Sequence, residues 1–265
     1  MAFALTWLPA VLDAAGLKVA EVPGWQNRGR AEMGTPLGCM VHHTAGPRAG
    51  NMPSLRTLVD GRPDLPGPLC HLGLGRDGTW YVVAAGRANH AGAGNWRGET
   101  QGNSHFIGIE AENTGGADDQ PWPQVQMTAL VHGLAALLRH IGRDVDWCAG
   151  HKEYALPSGR KNDPSFDMGP LRMQVAHVLA GSLPPPTPIP AVEPAAPPGL
   201  APRPTVRRGS AGADVTRLQE LLHIAPADGL FGPGTEAVVR QFQRDHGLVP
   251  DGIIGPKTWP LLEPR

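Results

Sequence analysis

Gly38-Cys39-Met40-Val41-His42-His43-Thr44-Ala45-Gly46 is the stretch that decides the fold of this chain. Its first half is an uninterrupted apolar run of the kind a buried strand needs, and it ends on two imidazoles before a small Thr-Ala-Gly exit. Two polar segments lie more than a hundred residues further on, His151-Lys152-Glu153 and Lys161-Asn162-Asp163-Pro164. A fold that returns the chain to the end of the first strand would bring two His and one Asp together. Two neutral imidazoles and a carboxylate suit Zn²⁺, and three protein ligands instead of four leave a coordination position open, the arrangement of hydrolytic zinc. Adjacent strand residues point to opposite faces, so only one of His42 and His43 can serve; alternation alone does not say which.

Working outward, the spacing predicts a helix over 54–60 with Ser54 as N-cap. Strands are expected over 70–74 and 80–83, either side of Arg76-Asp77-Gly78, whose Asp-Gly pair signals a hairpin. A further strand over 107–112 alternates Ile107, Ile109 and Ala111 against Gly108, Glu110 and Glu112. Leu130, Val131, Leu134, Leu137, Leu138 and Ile141 recur at helical spacing within 127–141. Cys148 lies in a short strand before His151, and a last helix ends over 175–179. The sum is an α/β domain, a mixed central sheet flanked by helices. Near the N-terminus, Trp7-Leu8, Val11-Leu12 and Ala15 fit a short amphipathic helix packed on the domain. They lack the cationic lead-in of a signal peptide.

Composition limits the function classes. The 265 residues are 41% hydrophobic, enough for a full core, and the net charge is -1, so nucleic acid and anionic membranes are not expected partners. No run approaches the roughly 20 apolar residues of a membrane span, so no stable membrane insertion is expected. Cys39, Cys70 and Cys148 are odd in number and sit among apolar residues, which reads as buried free thiols made in a reducing compartment. Between Pro184 and Pro204, ten of 21 residues are proline, an extended spacer that divides the chain into 1–183, a linker 184–204, and 205–265. The last segment reads as a small three-helix domain with helices over 214–222, 236–246 and 256–262. Its turns Asp228-Gly229-Leu230-Phe231-Gly232-Pro233 and Asp251-Gly252-Ile253-Ile254-Gly255-Pro256 repeat each other. With few polar groups to spare beyond its core, it reads as a binding module.

The blocks Val41 to Gly46, Cys70-His71-Leu72 before Arg76-Asp77-Gly78, Asn89-His90-Ala91-Gly92, Ile107-Gly108-Ile109-Glu110, Gly150-His151 and Arg160-Lys161-Asn162-Asp163-Pro164 stand in one order over roughly 35–180. On these blocks the large domain resembles the zinc-dependent N-acetylmuramoyl-L-alanine amidases of the type-2 amidase and peptidoglycan-recognition-protein superfamily. The small domain resembles the peptidoglycan-binding type-1 module, and the combination is similar to phage endolysins. The resemblance implies one catalytic Zn²⁺ held by His42, His151 and Asp163, with His43 buried or hydrogen-bonded behind the site. It implies Glu110 as general base, with Glu112 its competitor on the same face, and Lys161 beside the oxyanion. His90 and Asn113 become expected substrate contacts. Cys70 stands where some relatives carry a Tyr, which would leave proton transfer to Glu110. The implied activity is cleavage of the amide between N-acetylmuramic acid and L-alanine, by a monomer acting on bacterial peptidoglycan. The alternatives are a zinc peptidase cutting within the stem peptide and a recognition protein that binds without cutting. A lysin of this kind would be made in the host cytoplasm and reach the wall after holin-mediated release.

Overall fold

Residues 38–43 and 106–111 set Cys39 and Val41, and Ile107, Ile109 and Ala111, on one face, and this lets the two segments lie side by side with that face against helices. The computed structural model describes residues 3–182, 203–246, 248, 251–255 and 258–263. The chain divides into two compact units, Met1–Pro188 and Ile189–Arg265. The proline-rich segment read at 184–204 falls outside the described residues except for Arg203 and Pro204, as do Pro256 and Lys257.

In the first unit the strands are β1 (Val19–Glu21), β2 (Gly38–His43), β3 (Gly61–Arg62), β4 (Leu65–Pro66), β5 (Leu72–Leu74), β6 (Trp80–Val82), β7 (Phe106–Ala111) and β8 (Cys148–Gly150). Its helices are α1 (Leu8–Ala14), α2 (Leu55–Asp60), α3 (Gly102–His105), α4 (Gln124–His140), α5 (His151–Tyr154) and α6 (Met168–Leu179). Among the described residues the main sheet runs β1-β6-β5-β7-β2-β8, and β3 pairs with β4 in a small hairpin. Only β5 and β6 are antiparallel within the main sheet. They are joined through Gly78, whose φ of 79° a side chain would oppose. The mixed sheet flanked by helices is thus as expected.

The two faces of this sheet are covered differently. Cys39, Val41, Leu72, Leu74, Ile107, Ile109 and Cys148 meet Leu8 and Leu12 of α1, Leu130, Leu134 and Leu138 of α4, and Leu171 and Val175 of α6 in one continuous core. The amphipathic reading of the N-terminal segment holds, since α1 buries Leu8 and Leu12 completely. The opposite face carries smaller clusters, Met40 with Ala91, Phe106, Ala149 and Tyr154, and Tyr81 with Met52, Leu58 and Cys70. Among the described residues of this unit no long helix covers that face, which leaves the C-terminal ends of β2, β7 and β8 to carry polar groups. All three cysteines are free and buried, and burial pushes the Cys148 thiol up to about 12.

Ser54 stands at the N-terminus of α2, but its hydroxyl does not cap the helix; it donates to Glu112 Oε1 at 2.9 Å. The same carboxylate accepts from Ser54 N at 3.0 Å, so a side chain from another segment satisfies the backbone donor at the start of the helix.

In the second unit, α7 (Ala213–Leu221), α8 (Pro233–Asp245) and α9 (Trp259–Leu262) surround Val206, Val215, Leu218, Phe231, Val239, Ile254, Trp259 and Leu262. The two repeated turns are held by the same device. Gln219 accepts from Gly229 N at 2.8 Å and donates to Asp228 Oδ1 at 2.8 Å, while Gln243 accepts from Gly252 N at 2.9 Å and donates to Asp251 Oδ1 at 2.7 Å. Each buried amide satisfies a turn that would otherwise leave polar backbone unpaired.

Candidate metal centre

Register decides which imidazole reaches the site. In the parallel pair β2–β7 His42 stands opposite Glu110, and in the pair β2–β8 Val41 stands opposite Gly150. The residue after Gly150 is His151, the first of α5, so the chain presents it level with His42. Residues in parallel register share a face, and His42, Glu110 and His151 emerge together on the lightly covered side. Asp163 arrives from the following loop, which is tied to the start of α5 by Lys152 N donating to Asp163 O at 2.6 Å.

His42 Nδ1 lies 2.9 Å from His151 Nδ1 and 3.0 Å from Asp163 Oδ2, and His151 Nδ1 lies 2.9 Å from the same oxygen. All three residues are buried. The far nitrogen of each ring shows which atom carries the proton. His151 Nε2 faces the Ala91 carbonyl at 2.9 Å, and a carbonyl only accepts, so the proton is on Nε2 and a lone pair on Nδ1. Burial holds His42 down to about 4, so it is neutral near pH 7. Two nitrogen lone pairs and a carboxylate oxygen packed this closely repel one another unless a cation lies between them. The donor set therefore fits Zn²⁺, which takes imidazole nitrogen and carboxylate oxygen at about 2.0–2.2 Å. Among the described residues this is the group of His, Cys, Asp and Glu side chains placed to hold a metal.

Glu110 Oε1 is 3.9 Å from His42 Nδ1, and its buried Oε2 has no hydrogen-bond partner. Burial raises this carboxyl well above the usual range, the Asp163 charge adds to the effect, and Lys161 opposes it. A cleft lined by Leu65, Asn89, His90, Asn103, His151 and Lys161 opens beside these groups.

Residues 32–166, just over half of the chain, match the family profile described as N-acetylmuramoyl-L-alanine amidase. The chain belongs to this amidase family. Residues 211–262 match a second profile, a putative peptidoglycan binding domain. Curated relatives match over shorter stretches. An uncharacterized protein of Kitasatospora aureofaciens is 42% identical over 66 residues, 23% of this chain and 56% of its own length. A zinc D-Ala-D-Ala carboxypeptidase of Streptomyces albus G is 42% identical over 62 residues, 21% of this chain and 24% of that protein. The match thus spans about half of the first relative and a quarter of the second. Among solved structures, the N-acetylmuramoyl-L-alanine amidase LysC from Clostridium intestinale aligns with a TM-score of 0.46 at 18% identity, over 60% of this chain and 97% of that one. The endolysin of Burkholderia AP3 phage aligns with a TM-score of 0.22 at 46% identity, over 23% of this chain and 25% of that one.

Within the amidase unit, the expected site residues separate into those that converge and those that do not. His42, His151, Asp163, Glu110 and Lys161 surround the metal position and its cleft. His43 points to the other face, where its Nδ1 accepts from Ser165 N at 3.1 Å. Three expectations are corrected. Glu112 does not share the site with Glu110: it is fully buried one residue past β7, accepting from Thr44 Oγ1 at 2.7 Å, Ser54 N at 3.0 Å and Ser54 Oγ at 2.9 Å. The start of α2 and Thr44 take up both of its oxygens, so it is sequestered from the cleft although it lies two residues from Glu110. Asn113 does not line the cleft: its buried amide donates to Asp119 O at 3.0 Å and accepts from Gly115 N at 2.8 Å, closing the loop after β7. His90 lines the cleft but offers a substrate no free nitrogen, with His42 Nε2 at 3.1 Å from Nδ1 and Phe106 O at 3.2 Å from Nε2.

Sequence reasoning missed two supporting groups. The Ala91 carbonyl is invisible to any reading of side chains. Asn103, whose Oδ1 accepts from His90 N at 2.9 Å and Ala91 N at 2.8 Å, carried no signal beyond its polarity ahead of β7.

Proposed function

We propose that this chain is a zinc-dependent peptidoglycan hydrolase that cuts the amide between the lactyl group of N-acetylmuramic acid and L-alanine, with its C-terminal unit holding the bacterial wall. The observation that carries the reading is the buried convergence of His42 Nδ1, His151 Nδ1 and Asp163 Oδ2 beside an unpartnered carboxyl, Glu110. Bound zinc supplies Lewis acidity, which polarises a carbonyl and makes water more acidic. Glu110, close to His42 and without a competing hydrogen bond, takes the proton from the attacking water and delivers it to the departing L-alanine amine. Lys161 at the cleft edge places a positive charge where the scissile carbonyl oxygen becomes negative. Zinc, a base and a cation together supply the groups amide hydrolysis needs.

The match of 211–262 to a peptidoglycan-binding profile supports a targeting role for the second unit. A host-lysis role, with synthesis in the host cytoplasm and release through a holin pore, accords with three buried free thiols. Mass spectrometry of digested sacculi, with and without a chelator, tests bond and metal together. The expected products are intact stem peptides with a free L-alanine amine, lost on chelation. Fragments cut within the stem peptide would replace this reading with a peptidase.

A further inference from the structure

Each ligand histidine has two neutral tautomers, and only the one protonated on Nε2 turns a lone pair at Nδ1 toward the metal position. Asp163 favours the other tautomer, because its Oδ2 lies 2.9–3.0 Å from both Nδ1 atoms and would accept a proton from either. Something must oppose it. We propose that His90 and the Ala91 carbonyl form a tautomer clamp, a positioning element that keeps the Nδ1 atoms of His42 and His151 free of protons and so ready for metal.

The polarity of the clamp starts at two backbone carbonyls. Phe106 O, 3.2 Å from His90 Nε2, can only accept, so His90 carries its proton on Nε2 and presents a lone pair at Nδ1. That lone pair is 3.1 Å from His42 Nε2, which must therefore donate, and the lone pair of His42 falls on Nδ1. Ala91 O acts on His151 directly at 2.9 Å. Two adjacent residues thus set both ligands, one through a side chain and one through backbone.

The clamp is itself fixed in place. Asn103 Oδ1 gathers the two amides of the segment, His90 N and Ala91 N. Gly108, on the cleft-side face of β7, leaves the slot for the ring: a Cβ there would stand 2.6 Å from His90 Cγ. His71 packs edge-on to His90 at 5.6 Å between ring centroids, with its Nδ1 occupied by Gly108 N at 2.9 Å, so that nitrogen does not compete for His90.

The inference rests on the metal centre proposed above but not on which bond is cut. The test uses the full chain stripped of metal, with histidine tautomers read from long-range ¹H–¹⁵N spectra and zinc affinity from chelator competition. Wild type should show His42 and His151 protonated on Nε2. His90→Leu should move the His42 proton to Nδ1, leave His151 unchanged, and weaken zinc binding by about 10–100-fold, the range for lost outer-shell partners. His90→Asn, which places a carbonyl oxygen near the position of Nδ1, should recover most of the affinity although it packs less well than Leu. A role in packing alone predicts the reverse order. The clamp is overturned if metal-free wild type carries the His42 proton on Nδ1, or if His90→Leu binds zinc within about threefold of wild type, well short of an outer-shell loss. Should His90→Leu fail to fold, the wild-type spectrum decides alone. Absence of zinc uptake by a wild type whose rings are protonated on Nε2 would overturn the metal centre and not the tautomer assignment.

Discussion

His42 and His43 are neighbours in sequence and lie on opposite faces of one strand. On the helix-covered face His43 follows Cys39 and Val41, and its ring accepts from the backbone of Ser165. On the thinly covered face His42 joins Glu110 and His151 around a position that suits a cation. Glu110 and Glu112 repeat the contrast. One keeps an unpartnered oxygen beside the metal position, and the other spends both oxygens on Thr44 and Ser54. Identical residue types two positions apart or less therefore do chemistry or hold structure according to what packs over them.

The largest effect should come from exchanging the members of the first pair. His42→Ala should lose zinc by more than the about 100-fold typical of outer-shell changes, and lytic activity with it, whereas His43→Ala should keep near-stoichiometric zinc by elemental analysis. Full zinc in His42→Ala would dissolve the contrast between the faces.

The carboxylate pair should separate turnover from stability. Glu110→Gln should cut turnover about 10²–10⁴-fold while zinc content and melting temperature stay near wild type. Glu112→Gln should retain zinc and lose about 1–3 kcal/mol of stability in denaturant titration, because its partners Ser54 and Thr44 lose a charged acceptor. If Glu112→Gln abolishes cleavage in a fully folded protein and Glu110→Gln does not, the roles are reversed.

A smaller change is expected on removing the second unit. A chain of residues 1–182 should cut soluble muropeptides as well as the full chain but clear intact sacculi about tenfold more slowly at limiting enzyme, through lost local concentration. Equal rates on sacculi, with no pelleting of the isolated second unit by walls, would remove its targeting role.

The smallest effect concerns the buried neutral imidazoles. Burial holds His42 at about 4 and His71 at about 3, below the ordinary value near 6.5. The unfolded chain therefore binds protons at these rings that the folded chain refuses, and stability of metal-free Glu110→Gln protein, in which the raised Glu110 carboxyl no longer contributes the opposite trend, should fall as pH drops from 6.5 to 5. A fall of several degrees in melting temperature is the expected scale; a flat profile over that interval would mean these rings are protonated in the folded state.

Much of this was legible in sequence because it depends on short-range pattern. The alternation of Ile107, Ile109 and Ala111 set one face of β7, and the Asp-Gly of the β5–β6 turn marked a hairpin. Leu130, Leu134 and Leu138 gave the buried stripe of α4. The misassigned residues lie where pattern ends. Glu112 and Asn113 follow the last strand position, where Thr44, Ser54, Gly115 and Asp119 from neighbouring segments claim their polar atoms. Ser54 carries a capping signal, but its hydroxyl and backbone N–H are both turned to the Glu112 carboxylate. His90 was correctly placed at the cleft, yet its nitrogens were already committed to His42 and Phe106.

The sequence by itself determined the α/β class, the repeated turns of the second unit and the residue types able to hold zinc, because hydrophobic period, turn chemistry and ligand chemistry are local properties. Only the tertiary structure decided that His42, and not His43, faces Asp163. That choice depends on the register of β2 against β7 and β8 and on which face α1, α4 and α6 cover. It also assigned the ligand protons, through carbonyls of Phe106 and Ala91 that every residue possesses and only a folded chain can aim.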